Sequence, residues 1–262
     1  MRVITSILVL LFSLNTNANV KIYENDTSIL GLEQTGDRTK ISSTLYGGSD
    51  QSGESSPANC VVKYILEDEG VNFKGRLIPF STDGMSYSVD NKIMASFEPV
   101  GNVMTYVSDR PLDVCPMATD FVGDYDLVSD KTAKYKSYFD ILIKLNYTNA
   151  LKVFRLRGVS SAIDLIEPYV QQSIHNDYYY ADVFNDYGFL LQQAGRNVDA
   201  VTVLNIVVKN TPKRAVAYLN IADAYWASGD VTKSSQNYKE YIKLMKISHN
   251  NKIPKRAIDR SK

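Results

Sequence analysis

Residues able to do acid–base, nucleophilic or metal chemistry are few in this chain, and their spacing does not favour it. Only two histidines occur, His175 and His249. Neither stands one helical turn from a second ligand, the spacing that lets two side chains converge on one ion. The two cysteines are Cys60 and Cys115, and neither has a histidine nearby to complete a structural zinc site. Carboxylate neighbours such as Glu67/Glu69 and Asp124/Asp126 exist, but with 29 acidic residues such pairs arise by chance. Acid–base catalysis needs carboxyls whose pKa values are tuned in a cleft, and spacing alone shows none. Gly47-Gly48 and Gly101 are too sparse to cradle phosphates, and there is no nucleophile elbow or calcium loop. The expectation is a non-catalytic protein with no metal and no cofactor. The remaining chemistry is recognition.

The elements that would carry recognition lie between Ala181 and Lys246. Phe184, Tyr187, Gly188 and Leu191 reappear as Tyr218, Ile221, Ala222 and Tyr225, while Gly195 becomes Gly229, Ala200 becomes Ser234 and Leu204 becomes Tyr238. Every offset is 34 residues, the period of a helix-turn-helix repeat. A mid-helix Gly costs about 1 kcal/mol against Ala, so Gly188 makes sense where a second helix crosses closely. Gly195 and Gly229 fall where the first helix must stop. Pro212 closes the first unit, because a helix does not run through it easily.

This pattern resembles the tetratricopeptide repeat family. The resemblance implies antiparallel helix pairs stacked into a superhelix with a concave face that binds peptides. Lys246 stands where Pro212 stands in the first unit, and Ser234 replaces the usual Ala. Matched to the family pattern, the groove-facing residues are Asp182, Asn185, Phe189, Gln192 and Gln193, then Leu219, Asp223 and Trp226. This mixed aromatic and amide surface suits an extended peptide or a partner loop. Asn185 and Asn220 resemble part of the carboxylate clamp of the chaperone-binding subfamily. Phe189 stands where that clamp needs Asn, and its basic residues are missing, so carboxylate capture is not expected. Phe184, Tyr187, Leu191, Tyr218, Tyr225 and Tyr238 are core by spacing.

Upstream, Tyr135, Tyr138, Phe139, Ile141, Leu142 and Leu145 form a helical stripe. Tyr147, Ala150, Phe154 and Gly158 then read as the first helix of a degenerate unit over 144–176, with Ser160 as cap of its second helix and Pro168 bending that helix. Units over 181–214 and 215–246 complete three, about the minimum for a stable stack. Of the adjacent Tyr178, Tyr179 and Tyr180, at least one is expected at the surface.

Before the helices the period is two. Val20 to Tyr23, Cys60 to Leu66, Val71 to Pro79, Ile93 to Val100 and Val103 to Val107 read as strands, with turns at Thr82-Asp83-Gly84 and Gly101-Asn102. Gly47 to Pro57 reads as an exposed loop. The expected fold is α+β and multidomain: an antiparallel β domain over 19–128, sandwich or barrel-like, then an all-α repeat array over 129–248. Met1 to Ala18 has the charged start, apolar run and small-residue exit of a secretory leader, too short to span a bilayer. An exported chain with two cysteines is expected to pair Cys60 with Cys115, tying the two ends of the strand-rich stretch that runs from residue 60 to about 128.

Formal net charge is zero, which argues against bulk nucleic-acid binding. The tail, 249–262, carries Lys252, Lys255, Arg256, Arg260 and Lys262 against Asp259. It is a capping helix or solvated tail, or else a contact for an anionic surface such as a membrane face or wall polymer. The expected function is an exported adaptor that binds a protein or peptide in its helical groove, in the periplasm or outside the cell. The alternative places the main activity in the β domain, as an inhibitor, envelope-ligand binder or unrecognised enzyme.

Overall fold

Strand β1 (Asn19–Glu24) pairs antiparallel with both β2 (Ser28–Gln34) and the last strand, β10 (Gly123–Val128). That double pairing closes the sheet. The structure is a computed structural model that describes residues 19–35, 40–48, 60–81, 86–87, 93–115, 119–249 and 252–262. The leader, most of the Gly47–Pro57 loop and the Thr82-Asp83-Gly84 turn lie outside the described residues.

Between β2 and β10 run β3 (Ile41–Gly47), β4 (Cys60–Asp68), β5 (Phe73–Ile78), the short β6 (Phe80–Ser81) and β7 (Ser86–Tyr87), β8 (Met94–Val100) and β9 (Val103–Ser108). The ring order is β1-β10-β9-β8-β5-β4-β3-β2, a closed antiparallel barrel, with β6 and β7 as a separate ribbon. Of the two expected forms, sandwich or barrel-like, the sandwich is therefore corrected: the sheet is a closed barrel. Closure satisfies the edge hydrogen bonds that an open sheet would leave unpaired. The barrel also contains β2, β3 and β10, strands beyond those expected from the sequence. The Cys60–Cys115 disulfide is present, with Cα atoms 5.5 Å apart. It ties the start of the fourth strand to the segment after β9, not the two ends of the β region. Gly101 turns at φ +62° between β8 and β9 as expected, whereas Val71 precedes β5 and is 87% exposed.

Side-chain alternation gives the barrel two apolar faces. Tyr23, Leu30, Leu45, Val62, Tyr64, Phe97, Met104, Tyr106 and Tyr125 fill its interior. Gly75 is required there, because a Cβ would lie 2.6 Å from the Phe97 ring. Val20, Ile22, Ile29 and Val128 point outward into a different core, shared with the helices.

Among the described residues seven helices follow: α1 (Ala133–Arg157), α2 (Val159–His175), α3 (Ala181–Gln193), α4 (Asn197–Asn210), α5 (Ala215–Ala227), α6 (Val231–Ile247) and α7 (Lys255–Arg260). They form the three expected hairpins plus a short terminal helix. α1 starts eleven residues before the expected unit at 144, and those added turns lie against the barrel: Tyr135 donates to the Val20 carbonyl at 2.6 Å, and Lys134 meets Glu24 at 2.7 Å. α2 starts directly after Gly158 (φ +89°), so Ser160 lies inside the helix and does not cap it. Pro168 is accommodated within α2 and buried.

The period-34 features behave alike in both later units. Gly195 (φ +77°) and Gly229 (φ +81°) end α3 and α5 in matching turns, with Arg196 N–H bonded to the Leu191 carbonyl and Asp230 N–H to that of Tyr225. A Cβ on Gly188 would lie 2.5 Å from Leu204 Cγ of α4, which is why that position is glycine. Ser234 donates to the Ala222 carbonyl at 2.9 Å, so its hydroxyl is satisfied where the usual Ala would be silent.

Candidate functional site

Two regions merit a functional reading: the inner side of the repeats and the joint between barrel and helices. α3 and α5 lie side by side, as the matched rows require. On α3, Asn185 is buried; its Nδ2 donates to Asp186, but its Oδ1 has no partner among the described residues. Phe189 is half-buried and meets the edge of Phe154 from α1 at 6.1 Å. Gln193 lies beside it on the same helix and donates to Gln192 at 2.7 Å. Asp182 is exposed and pairs with Arg214 at 2.7 Å. Asp182, Phe189, Gln192 and Gln193 thus keep accessible surface on α3, while Asn185 is buried.

The three groove residues of α5 are already in use. Asp223 accepts a two-pronged bond from Arg256 of α7, at 2.9 and 3.1 Å, and a hydrogen bond from Tyr238. Arg260 lies over the Trp226 ring at 4.4 Å, leaving Trp226 39% exposed. Leu219 packs into a small core with Ala222, Tyr238, Tyr241 and Ala257. The basic tail is thus a capping helix. Arg256 and Arg260 are committed inside the molecule, which removes two of the charges expected to meet an anionic surface. The tyrosine run is also corrected: none of the three is exposed. Tyr178 packs on Phe139, Tyr179 bonds Thr211 and Tyr180 donates to Asp140, because the linker crosses α1 and α4 rather than open solvent.

The second region was not foreseen. Glu33 (β2), Thr44 (β3) and Lys63 (β4) share the outward register of neighbouring strands and are sealed by α1 and α2. Lys63 and Glu33 are each 1% exposed and lie 3.4 Å apart. Lys63 donates to Thr44 at 2.9 Å, while Glu33 accepts from Thr44 and Tyr169 at 2.6 Å and from Ser42 at 2.9 Å. Asn146 of α1 donates to Tyr169 and Thr44. Burial pushes the Lys63 ammonium below its ordinary range, and the Glu33 carboxylate opposes that. Burial, then Glu33, pushes the Tyr169 phenol well up. Such a pair persists only because every charge-bearing atom is met by a hydrogen bond. Gly31 lets α1 approach: a Cβ there would lie 2.9 Å from Leu142. The signal in sequence was a lone Lys inside the run Cys60–Leu66, which is otherwise β-branched and aromatic.

Beside this network a cleft of about 320 Å³ opens between the barrel and the first helix pair. Glu33, Ser42, Lys63 and Asn149 supply its polar lining, Ile65, Ile78, Val153, Leu165 and Pro168 its apolar walls, and Lys40, Arg157 and Asp164 further charge. Lys40 is paired with Asp164 at 2.6 Å. Among the described residues no three His, Cys, Asp or Glu side chains converge as metal ligands, and His175 and His249 are both exposed. No helix there is long and apolar enough to cross a membrane.

No family model matches the chain, and no curated protein matches it. Among solved structures, the crystal structure of MamA protein matches at 17% identity and TM-score 0.35, over 43% of this chain and 59% of that one. A MamA RS-1 double mutant matches at 15% identity and TM-score 0.37, over 48% of this chain and 75% of the other. The chain therefore spans less than two thirds of the first of these structures, and the likeness is distant and partial.

Proposed function

We propose that this chain is an exported, non-catalytic adaptor of the tetratricopeptide-repeat kind, which holds a protein or peptide partner against the first helices of its stacked hairpins. The observation that carries the reading is the α3 strip, where Phe189, Gln192 and Gln193 offer an aromatic anchor beside amides. The chain's own α7 supports it, since a short Arg-bearing helix already docks on Asp223 and Trp226, residues of the same inner register. The export part rests on the leader sequence 1–18 and on the disulfide. A periplasmic or extracellular site of action follows from it.

The test is photocrosslinking in intact cells with the reactive residue at Phe189 or Gln193. A discrete protein adduct at both positions, lost when Phe189→Ala is combined with the probe at Gln193, supports the groove. Adducts that form only from probes on the barrel, for example at Ile65, would transfer the binding role to the β region and end this reading.

A further inference from the structure

We propose that the cleft between the barrel and the first helix pair is a binding site for a small amphipathic carboxylate, an aliphatic acid with one anionic head. The proposal is independent of the partner-binding groove. Three observations carry it. The first is an orphaned donor: Asn149, a buried residue of the cleft lining, spends its Oδ1 on the Ser81 backbone N–H at 3.0 Å, while its buried Nδ2 has no acceptor among the described residues. A buried N–H without an acceptor is costly, so an acceptor supplied by a ligand is favoured there.

The second observation is charge. Lys40, Lys63 and Arg157 line the cleft against Glu33 and Asp164, leaving one surplus positive charge. Glu33 and Lys63 answer each other, as do Lys40 and Asp164. The surplus sits on Arg157 at the C-terminal end of α1, which makes no ion pair among the described residues. A monoanion is matched, whereas a cation or a dianion is not. The third is the wall. Ile65, Ile78, Val153, Leu165 and Pro168 give the rest of the lining an apolar surface that suits a hydrocarbon body. The volume falls at the lower end of the range for small-molecule sites. In this arrangement the carboxylate accepts from Asn149 Nδ2, the chain lies along Val153 and Leu165, and Arg157, about two helical turns beyond Asn149 on α1, adds its positive charge to the cleft from further off.

The experiment is calorimetric titration of the full chain with decanoate, decanol and decyltrimethylammonium below their micelle concentrations. Saturable one-to-one binding of decanoate is expected, with decanol about tenfold weaker, since it lacks the charge-assisted bond, and no binding of the cation. Asn149→Ala is expected to weaken decanoate about tenfold. Arg157→Gln, at an exposed position that folding tolerates, is expected to weaken it roughly threefold and to leave decanol unchanged. Val153→Trp, which fills the cleft, is expected to abolish binding. Decanoate binding that survives Val153→Trp, equal affinities for decanoate and decanol, or no saturable binding would each overturn the proposal. Because the groove is not involved, crosslinking at Phe189 is expected to be unaffected by Arg157→Gln.

Discussion

At the scale of single residues, the buried Lys63–Glu33 pair has the largest consequences. Removing one partner leaves an uncompensated charge in a dry site, which costs about 3–5 kcal/mol. Lys63→Met is therefore expected to lower unfolding free energy by that amount in denaturant titration. Adding Glu33→Gln is expected to restore about 1 kcal/mol or more, because the amide oxygen still accepts from Tyr169 and Thr44 but carries no charge, and the amide nitrogen can donate to the Ser42 hydroxyl. If the double variant is no more stable than the single one, the charge is not what matters there. Gly188 is a second residue-scale case. Gly188→Val is expected to cost about 2–3 kcal/mol through collision with Leu204. In a Leu204→Ala background the same change is expected to cost much less, so a thermal-melt double-mutant cycle isolates the contact.

At the scale of elements, α7 is the informative one. It is six residues long and too short to be stable alone. It persists because Ala257 is buried and Arg256 and Arg260 are held by Asp223 and Trp226. These pairs are partly exposed, so together they contribute about 1 kcal/mol. Trp226 is the single tryptophan of the chain, which makes its fluorescence a direct reporter of docking. In the double variant Arg256→Ala, Arg260→Ala, acrylamide quenching of Trp226 is expected to rise while overall stability falls only slightly. Unchanged quenching would mean that α7 is held by its apolar contacts alone.

At the scale of the whole molecule, barrel and helices share a core. Val20, Ile22, Ile29 and Val128 lie in one cluster with Tyr135, Phe139, Leu142 and Tyr169. A cut between 128 and 129 therefore exposes apolar surface on both sides. A fragment 19–128 is expected to aggregate or bind hydrophobic dye, and the intact chain to melt in one transition. The disulfide is expected to contribute about 4 kcal/mol under the chain-entropy model, read as the drop in stability after reduction. Alkali tests the buried tyrosines. Tyr64, Tyr106, Tyr125, Tyr135, Tyr169 and Tyr187 all have phenols pushed up by burial, Tyr106 to about 12. Below pH 10 both folded and unfolded chains keep these protons, and the stability they contribute is intact. Between pH 10 and 12 the unfolded chain releases them first, so stability falls as pH rises. Lys63, with its pKa lowered, acts in the opposite direction, but it is one group against many. Net loss above pH 10 is expected in pH-dependent melts, and a flat profile to pH 12 would contradict the tyrosine burial.

By itself, the sequence determined what is local. The period-34 rows carried the helix pairs, their glycine turns and the close crossing of Gly188 with Leu204, because such features depend on residues within one helix hairpin. Cys60 and Cys115 paired as expected for the only two cysteines. Tertiary structure alone decided what depends on distant partners. Barrel closure joins β1 to β10 across a hundred residues, and no local period records that pairing. The Lys63–Glu33 network and the cleft beside it exist only where outward-facing positions of three strands are covered by α1 and α2. The docking of α7 turned expected groove residues into an internal contact for the same reason: its partners, Asp223 and Trp226, are some thirty residues away along the chain.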